Sequence, residues 1–584
     1  MNTSPTVSRI NVRFSPEGGY ATCVATDDDG CVYMELWALG AQGPRCQGRW
    51  PITTHASTTL ALPLDDGRVL MTYYYRPDGQ SFALLHNGMW TKLGSRTPPN
   101  LRLLPAPPNS GQLVGCAVSA PQDGKTTLYR INSAEPWLEA VCTLPTTLVG
   151  GVVAGSDLLF TAMESGQRTP VLIDPFSGRS VLPTVSRSCA AVIATGEVFL
   201  LAEGNRLSLA LLDGETPMWT IPEPGDLGGS VTPVALDPTA SFLALVVNRG
   251  ARSGLVLLDV RDGSVREVDV PPCTLGTRAA WTSDGLWITA STPSRPEDFL
   301  WIPDPSTVRW SQPEDAWARG RVETFSGPAG PIEAVVHGPD WRESETVVLA
   351  LHGGPADQWR LGFDRFFQSL AAAGVSVVAI NQRGSTGYGT AHAEAIVNDW
   401  GGPDLQDVLA VGESLHSERG EPPVLYGVSY GAHLALLAAA VRPDAWSSCV
   451  AVAPFASAKW LYAETTDAVR AMIDRLGGRS STVDLIPLAP AISVPVLLVH
   501  GALDESIPVG QSRALADRVP GITYYEVPGR GHFALGDAAA DPVTSTVVAF
   551  VAGPTNSPTT VGRKNNERGG HHGARTRRSA AASR

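Results

Sequence analysis

A chain of 584 residues exceeds what one hydrophobic core fills, since single cores stop growing near roughly 250–300 residues, so two large domains are expected. With 43% hydrophobic residues, 17% charged residues and a mean hydropathy of +0.00, the composition excludes a membrane-embedded protein; residues 1–14 carry no secretory core and no apolar run near roughly 20 residues. A net charge of −13 excludes a nucleic-acid protein built around a basic face, and the eight cysteines, with no Cys-x-x-Cys pair, read as reduced thiols in a cytoplasmic protein rather than a zinc site or disulfide framework.

From the N-terminus to about residue 313, short alternating apolar strands are followed by Asp, Asn, Gly or Pro turns. Units begin near Phe14, Leu60, Leu113, Leu148, Cys189, Val231 and Thr277. Strand-rich repeats of about 40 residues without helical periodicity predict propeller blades, whose sheets bury their faces only against neighbours. Seven units predict an all-β seven-bladed propeller over residues 1–318. No unit carries the Gly-His and Trp-Asp pairs of the commonest repeat, so periodicity and turn chemistry alone support the assignment.

The texture changes near Arg319. Two short strands, at about 322–325 and 332–337, precede apolar runs at 347–351, 375–380, 424–426, 449–453, 496–499 and 524–527. Between and beyond them, residues 363–373, 405–416, 430–441, 509–519 and 542–551 repeat apolar residues at three-to-four spacing, which predicts helices. Strands buried on both faces and alternating with helices predict an α/β domain at 319–552, with a mostly parallel sheet between helical layers. Residues 563–584 hold seven Lys or Arg and one acid, Glu567. With so little apolar content, residues 553–584 predict a disordered basic tail.

Gly427-Val428-Ser429-Tyr430-Gly431 follows a predicted strand and opens a predicted helix, the setting of a nucleophile elbow, in which small residues two before and two after the serine let strand and helix approach. A plain helix-capping serine is the alternative. A serine hydroxyl needs a base and a carboxylate that fixes the base's tautomer. Asp504 and His532 follow successive strands, on loops at the same edge of a parallel sheet; Glu505 and Asp537 are the competing acids, and His500 reads as a packed or bonded core histidine. The loop of His352, Gly353, Gly354 and Pro355 follows another strand, so the backbone N–H groups of Gly354 and Tyr430 are the candidate oxyanion donors. No metal or organic cofactor is implied.

The ordered segments LALHGGPADQW, VVAINQRGSTGYG, DWGGPDLQDV, LYGVSYGAHLAL, HGALDESIPVGQS and PGRGHFA, behind a propeller, resemble the prolyl oligopeptidase family of serine peptidases, most of all its acylaminoacyl-peptidase branch. The resemblance spans residues 321–551 by motif and the N-terminal half by architecture. It implies a propeller that lids an α/β-hydrolase and admits only short peptides or acyl-amino acids, a triad of Ser429, Asp504 and His532, and oxyanion donors at Gly354 and Tyr430. It also implies that Trp460 and Tyr462 wall the pocket for the residue before the scissile bond; ordinary core packing is the alternative for both. The chain departs from the family at Ser506, where relatives carry an arginine that holds a substrate carbonyl, and at Ala432, where they carry a glycine. It has no Glu-Glu pair, which disfavours a dipeptidyl peptidase. The missing arginine leaves open an esterase, thioesterase or acyl transferase with the same triad. A non-catalytic scaffold is a third reading, and self-association into a homo-oligomer is left open.

Overall fold

Among the described residues, antiparallel pairing of consecutive strands builds the first half of the chain. The computed structural model describes residues 6–52, 59–75, 79–95, 101–164, 166–182, 188–204, 206–211, 219–223, 225–311, 317–536 and 541–553. Five sheets each hold four consecutive strands, and a sixth holds seven. In the sixth, the long strand Val265–Thr282 pairs with Arg252–Asp259 through its first half and with Gly285–Thr292 through its second. Counting that strand on both sides gives seven four-stranded units. The first strand of every unit lines one central cavity of about 700 Å³.

The last unit meets the first through side-chain packing and side-chain hydrogen bonds, with no strand pairing between them among the described residues. Phe299 packs into a cluster with Val12, Ala21, Cys23 and Trp37, while Arg9 donates to Glu35 at 2.9 Å and to the Glu297 carbonyl at 3.0 Å. Two units start well before their sequence signals. The first opens at Thr6 rather than Phe14, and the third at Arg102 rather than Leu113, because the strand Arg102–Leu104 is too short to display alternation.

The second half forms one eight-stranded sheet. Its strands are β1 (Gly320–Gly327), β2 (Gly330–His337), β3 (Val347–Leu351), β4 (Ser376–Ile380), β5 (Val424–Val428), β6 (Ser448–Val452), β7 (Val496–Gly501) and β8 (Thr523–Val527), in spatial order β1-β2-β4-β3-β5-β6-β7-β8. The pairs β1–β2 and β2–β4 are antiparallel, and all later pairs are parallel. Strands β3 and β4 are buried along their whole length, which is why they read as unbroken apolar runs.

The covering helices are α1 (Arg365–Ala372), α2 (Pro403–Arg419), α3 (Tyr430–Val441), α4 (Ala458–Glu464), α5 (Asp467–Arg475), α6 (Gly510–Ala516) and α7 (Pro542–Ala552). Helices α2 and α3 share one core with the sheet, and α1 and α7 share a second core on its other face. Parallel pairing brings the loops after β3, β5, β7 and β8 to one edge of the sheet, where ligands of open α/β sheets bind.

Polar contacts seat the propeller on this domain. Arg365 of α1 pairs with Asp28 at 2.6 Å, and Gln358 donates to the Gly250 carbonyl at 3.0 Å. Buried Gln368 donates to the carbonyls of Pro293 and Ala318 at 2.7 and 2.8 Å and accepts from the Ala318 N–H at 2.9 Å. Among the described residues no helix is long and apolar enough to cross a membrane. Beyond Gly553 the predicted tail lies outside the described residues.

Candidate active site

Strand β5 delivers Ser429 to its C-terminal end, where the backbone turns sharply into α3 with φ 57° and ψ −118°. A non-glycine residue is rare in this region and is held there only by its surroundings. A Cβ at Gly427 would lie 2.1 Å from the Gly431 carbonyl oxygen, and one at Gly431 would lie 2.3 Å from the Leu351 oxygen. Both positions therefore require glycine. The Ser429 N–H donates to the Val452 carbonyl at 2.8 Å, tying the turn to β6. The Ser429 side chain makes no capping bond, so the helix-cap alternative is not realised, and its hydroxyl is uncommitted among the described residues.

The loop after β3 passes directly beside this turn. A Cβ at Gly353 would stand 3.3 Å from Ser429 Cβ. Buried His352 donates from Nδ1 to the Gly353 carbonyl at 2.7 Å. Gly354 has φ 116°, and a Cβ there would lie 2.7 Å from the Ala356 nitrogen, so glycine is again required. Tyr430, as the first helical residue, has no intrahelical acceptor for its N–H. Its buried phenol donates to Asp404, a carboxyl that burial pushes up to about 6.

Asp504 lies on the loop just after β7 with every acceptor site used. Oδ1 accepts the N–H groups of Ser506 and Ile507, both at 2.9 Å. Oδ2 accepts from His532 Nδ1 at 2.7 Å and from His500 Nε2 at 3.1 Å. Burial alone would raise the Asp504 pKa, but the bonds from His500 and His532, with the remaining donors, hold it well below the usual carboxylate range. His500 Nε2 also meets the Ile507 carbonyl at 2.9 Å, which can only accept, so Nε2 carries the proton; Nδ1 meets the Ser512 hydroxyl at 2.6 Å. His532 is fixed the same way, with its proton on Nδ1 and its Nε2 lone pair unclaimed.

No hydrogen bond joins His532 to the Ser429 hydroxyl among the described residues. Such bonds are often long in unliganded sites and tighten when substrate binds. A cavity of about 400 Å³ opens between the two halves here, bounded by His532, Phe533 and Val428 on one side and by Arg9 and Glu297 on the other.

The other sequence candidates divide. Tyr462 is engaged with its own neighbourhood, its hydroxyl donating to Asp474 at 3.1 Å and its ring lying under Arg479 at 4.6 Å. Trp460 packs half-buried against the main core. Ser506 accepts from the Thr465 hydroxyl through its backbone carbonyl at 2.6 Å. Glu505 is exposed, and Asp537 lies outside the described residues. Sequence reasoning left two partners unassigned, His500 on the Asp504 carboxylate and Asp404 under Tyr430. The four-residue spacing of His500 and Asp504 across a tight turn was the available signal for the first; nothing local signals the second.

Residues 361–556 match the prolyl oligopeptidase family. An uncharacterized peptidase of Bacillus subtilis, YuxL, is 30% identical over 190 residues, which are 30% of this chain and 29% of that protein. The acylamino-acid-releasing enzyme of Sus scrofa is 26% identical over 217 residues, 34% of this chain and 28% of the other. The aligned region thus spans about three tenths of the length of these relatives. In fold the likeness covers more than nine tenths of the chain. An acylaminoacyl peptidase of Pyrococcus horikoshii superposes with TM-score 0.69 at 16% identity, covering 91% of this chain and 93% of that one. A puromycin-hydrolyzing peptidase of Mycobacterium tuberculosis gives TM-score 0.68 at 17% identity, covering 94% and 96%.

Proposed function

We propose, from the premise that the second domain of this chain belongs to the prolyl oligopeptidase family, that the protein is a serine peptidase cleaving amide bonds of short peptides or acyl-amino acids through an acyl-enzyme. Residues 319–552 form the catalytic domain in this reading, and residues 1–318 form the lid that limits substrate size. The observation that carries it is the 2.7 Å bond from His532 Nδ1 to an Asp504 carboxylate saturated with donors, on the sheet edge that also holds the uncommitted Ser429 hydroxyl.

Ser429 Oγ attacks the scissile carbonyl while His532 Nε2 takes its proton. The tetrahedral oxyanion is held by the N–H groups of Gly354 and Tyr430. His532 then returns the proton to the leaving amine, and water repeats the sequence to release the acid. Asp504 keeps the His532 proton on Nδ1 and stabilises the imidazolium. The names of the relatives favour a peptidase over an esterase or acyl transferase. The absence of a Glu-Glu pair from the sequence disfavours a dipeptidyl peptidase. Free cysteines at all eight positions support a reducing, cytoplasmic setting.

A fluorophosphonate probe is expected to label the wild-type protein and not Ser429→Ala; equal labelling of both would end the reading. Across a panel of peptide amides, acyl-amino acid amides and esters, cleavage of the amides is expected, and turnover of esters alone would remove the peptidase assignment. Cleavage is expected to fall sharply once substrates exceed a few tens of residues.

A further inference from the structure

The propeller's central cavity is chemically unlike the surface of the molecule around it. The chain carries a net charge of −13, yet the charged residues lining this cavity are three arginines, Arg13, Arg102 and Arg278, against a single acid, Glu17, among the described residues. They come from three different sheets and project into a space otherwise walled by apolar and small side chains.

None of the three has a carboxylate partner among the described residues. Arg13 donates one bond to the Val12 carbonyl at 2.9 Å, and Arg102 one to the Leu148 carbonyl at 3.2 Å. A guanidinium has five N–H donors and no acceptor, so most of this donor capacity has no protein acceptor among the described residues. Arg13 and Arg278 repel each other: burial first, and then the charge of Arg278, pull the Arg13 pKa down to about 10. Enclosure also lowers Arg102 and Arg278, although both keep solvent contact. Such an arrangement costs stability in the empty protein and is relieved by an anion.

The channel points toward the chemistry. Strand Thr6–Phe14 carries Ser8 to Ile10 on the wall of the cavity that His532 shares, and Arg13 on the wall of the channel. Three residues of strand advance about 10 Å, a span that three or four extended peptide residues cover.

We propose that the central channel of the propeller is a recognition site for carboxylates of short acidic peptides, held by Arg13, Arg102 and Arg278. The proposal rests on the peptidase reading for the identity of the ligand. An acidic body repels such peptides everywhere except along a basic, low-dielectric channel, which concentrates them by focusing the field.

Full-length Ser429→Ala protein, which binds without turnover, tests it. Two labelled octapeptides, one ending in Glu-Glu with a free carboxylate and one ending in Gln-Gln amide, are titrated by fluorescence anisotropy at 50 and 300 mM salt. The acidic peptide is expected to bind roughly tenfold more tightly at low salt, at two- to threefold for each arginine, and the advantage is expected to shrink at high salt. Adding Arg13→Gln, Arg102→Gln and Arg278→Gln together is expected to abolish the advantage while leaving the neutral peptide unaffected; the three Lys replacements are expected to retain part of it. Discrimination that survives the triple Gln variant, or equal binding of both peptides to the parent, overturns the proposal. Wild-type protein that hydrolyses peptides without this discrimination refutes the channel site alone. Discrimination by a protein that hydrolyses none refutes the peptidase reading and leaves the carboxylate site standing.

Discussion

Replacing Asp504 by Asn tests the site at its most constrained atom pair. The carboxylate accepts four bonds: two backbone N–H groups on Oδ1, and the ring N–H groups of His532 and His500 on Oδ2. Asparagine supplies one oxygen and one NH₂. With its oxygen at the Oδ1 position, the NH₂ faces two imidazole donors; reversed, it faces two backbone donors. His532 can escape by moving its proton to Nε2, and it then cannot accept the Ser429 proton. His500 has no such escape, because its Nε2 proton also serves the Ile507 carbonyl. An unsatisfied buried donor costs about 1–3 kcal/mol, so a loss of roughly 2–4 kcal/mol of stability is expected, together with a fall of about 10³–10⁴-fold in acylation rate.

The single-turnover rate of fluorophosphonate labelling and thermal unfolding measure the two effects separately, with exposed Glu505→Gln as the control. The pH dependence adds a third reading. A carboxylate depressed in the folded state stabilises above its unfolded pKa of about 3.9 and loses that contribution as pH falls through its lower folded value. Asp504→Asn is therefore expected to flatten the acid limb of the stability curve. Labelling within about tenfold of wild type, or an equal loss in Glu505→Gln, would refute this account of the carboxylate.

Gly431→Ala drives a Cβ into the backbone oxygens of Leu351 and His352 at 2.3 and 2.5 Å; it is expected to abolish probe labelling and lower the unfolding temperature, and a variant with normal labelling would show that the turn is looser than described. Asp404, raised to about 6 by burial, stabilises fully only below its unfolded pKa of about 3.9, and that contribution is lost as pH rises toward 6. Asp404→Asn, whose NH₂ can donate to a turned Tyr430 hydroxyl, is therefore expected to gain about 3 kcal/mol relative to wild type between pH 4 and pH 7 in urea titrations. Gln368→Leu removes three hydrogen bonds of a buried side chain at the junction and is expected to cost roughly 3 kcal/mol, read by thermal unfolding and by faster proteolysis near residue 318.

How much of this was legible in the sequence follows the range of the interactions. Strand β3 declared itself because both its faces are buried and every position is apolar, and β7 did so through its first four residues, Val496 to Val499. The elbow was legible because its geometry is decided within five residues, by two glycines that can carry no Cβ. Helices α4 and α5 were not anticipated. Helix α5 (DAVRAMIDR) buries only Ile473, too little to set a period, and α4 buries only Ala458 and Leu461. The pairing of Asp404 with Tyr430 joins residues 26 apart, and the bonds of Gln368 cross from one half of the chain to the other. Such pairs depend on where whole elements come to rest, and no local pattern encodes that.

The same division explains what is fixed and what is left to move in the site. Ser429 is set by its own turn, and Asp504 by two N–H groups of its own loop, so each would stand where it does without the other. His532 has no comparable local tether. It is held by the side chain of Asp504 and by a loop tied at 2.8 Å from the Leu503 N–H to the Arg530 carbonyl, and its neighbour Phe533 is 81% exposed. The imidazole is thus fixed at Nδ1 and free at Nε2, on the segment that faces the propeller across the cavity.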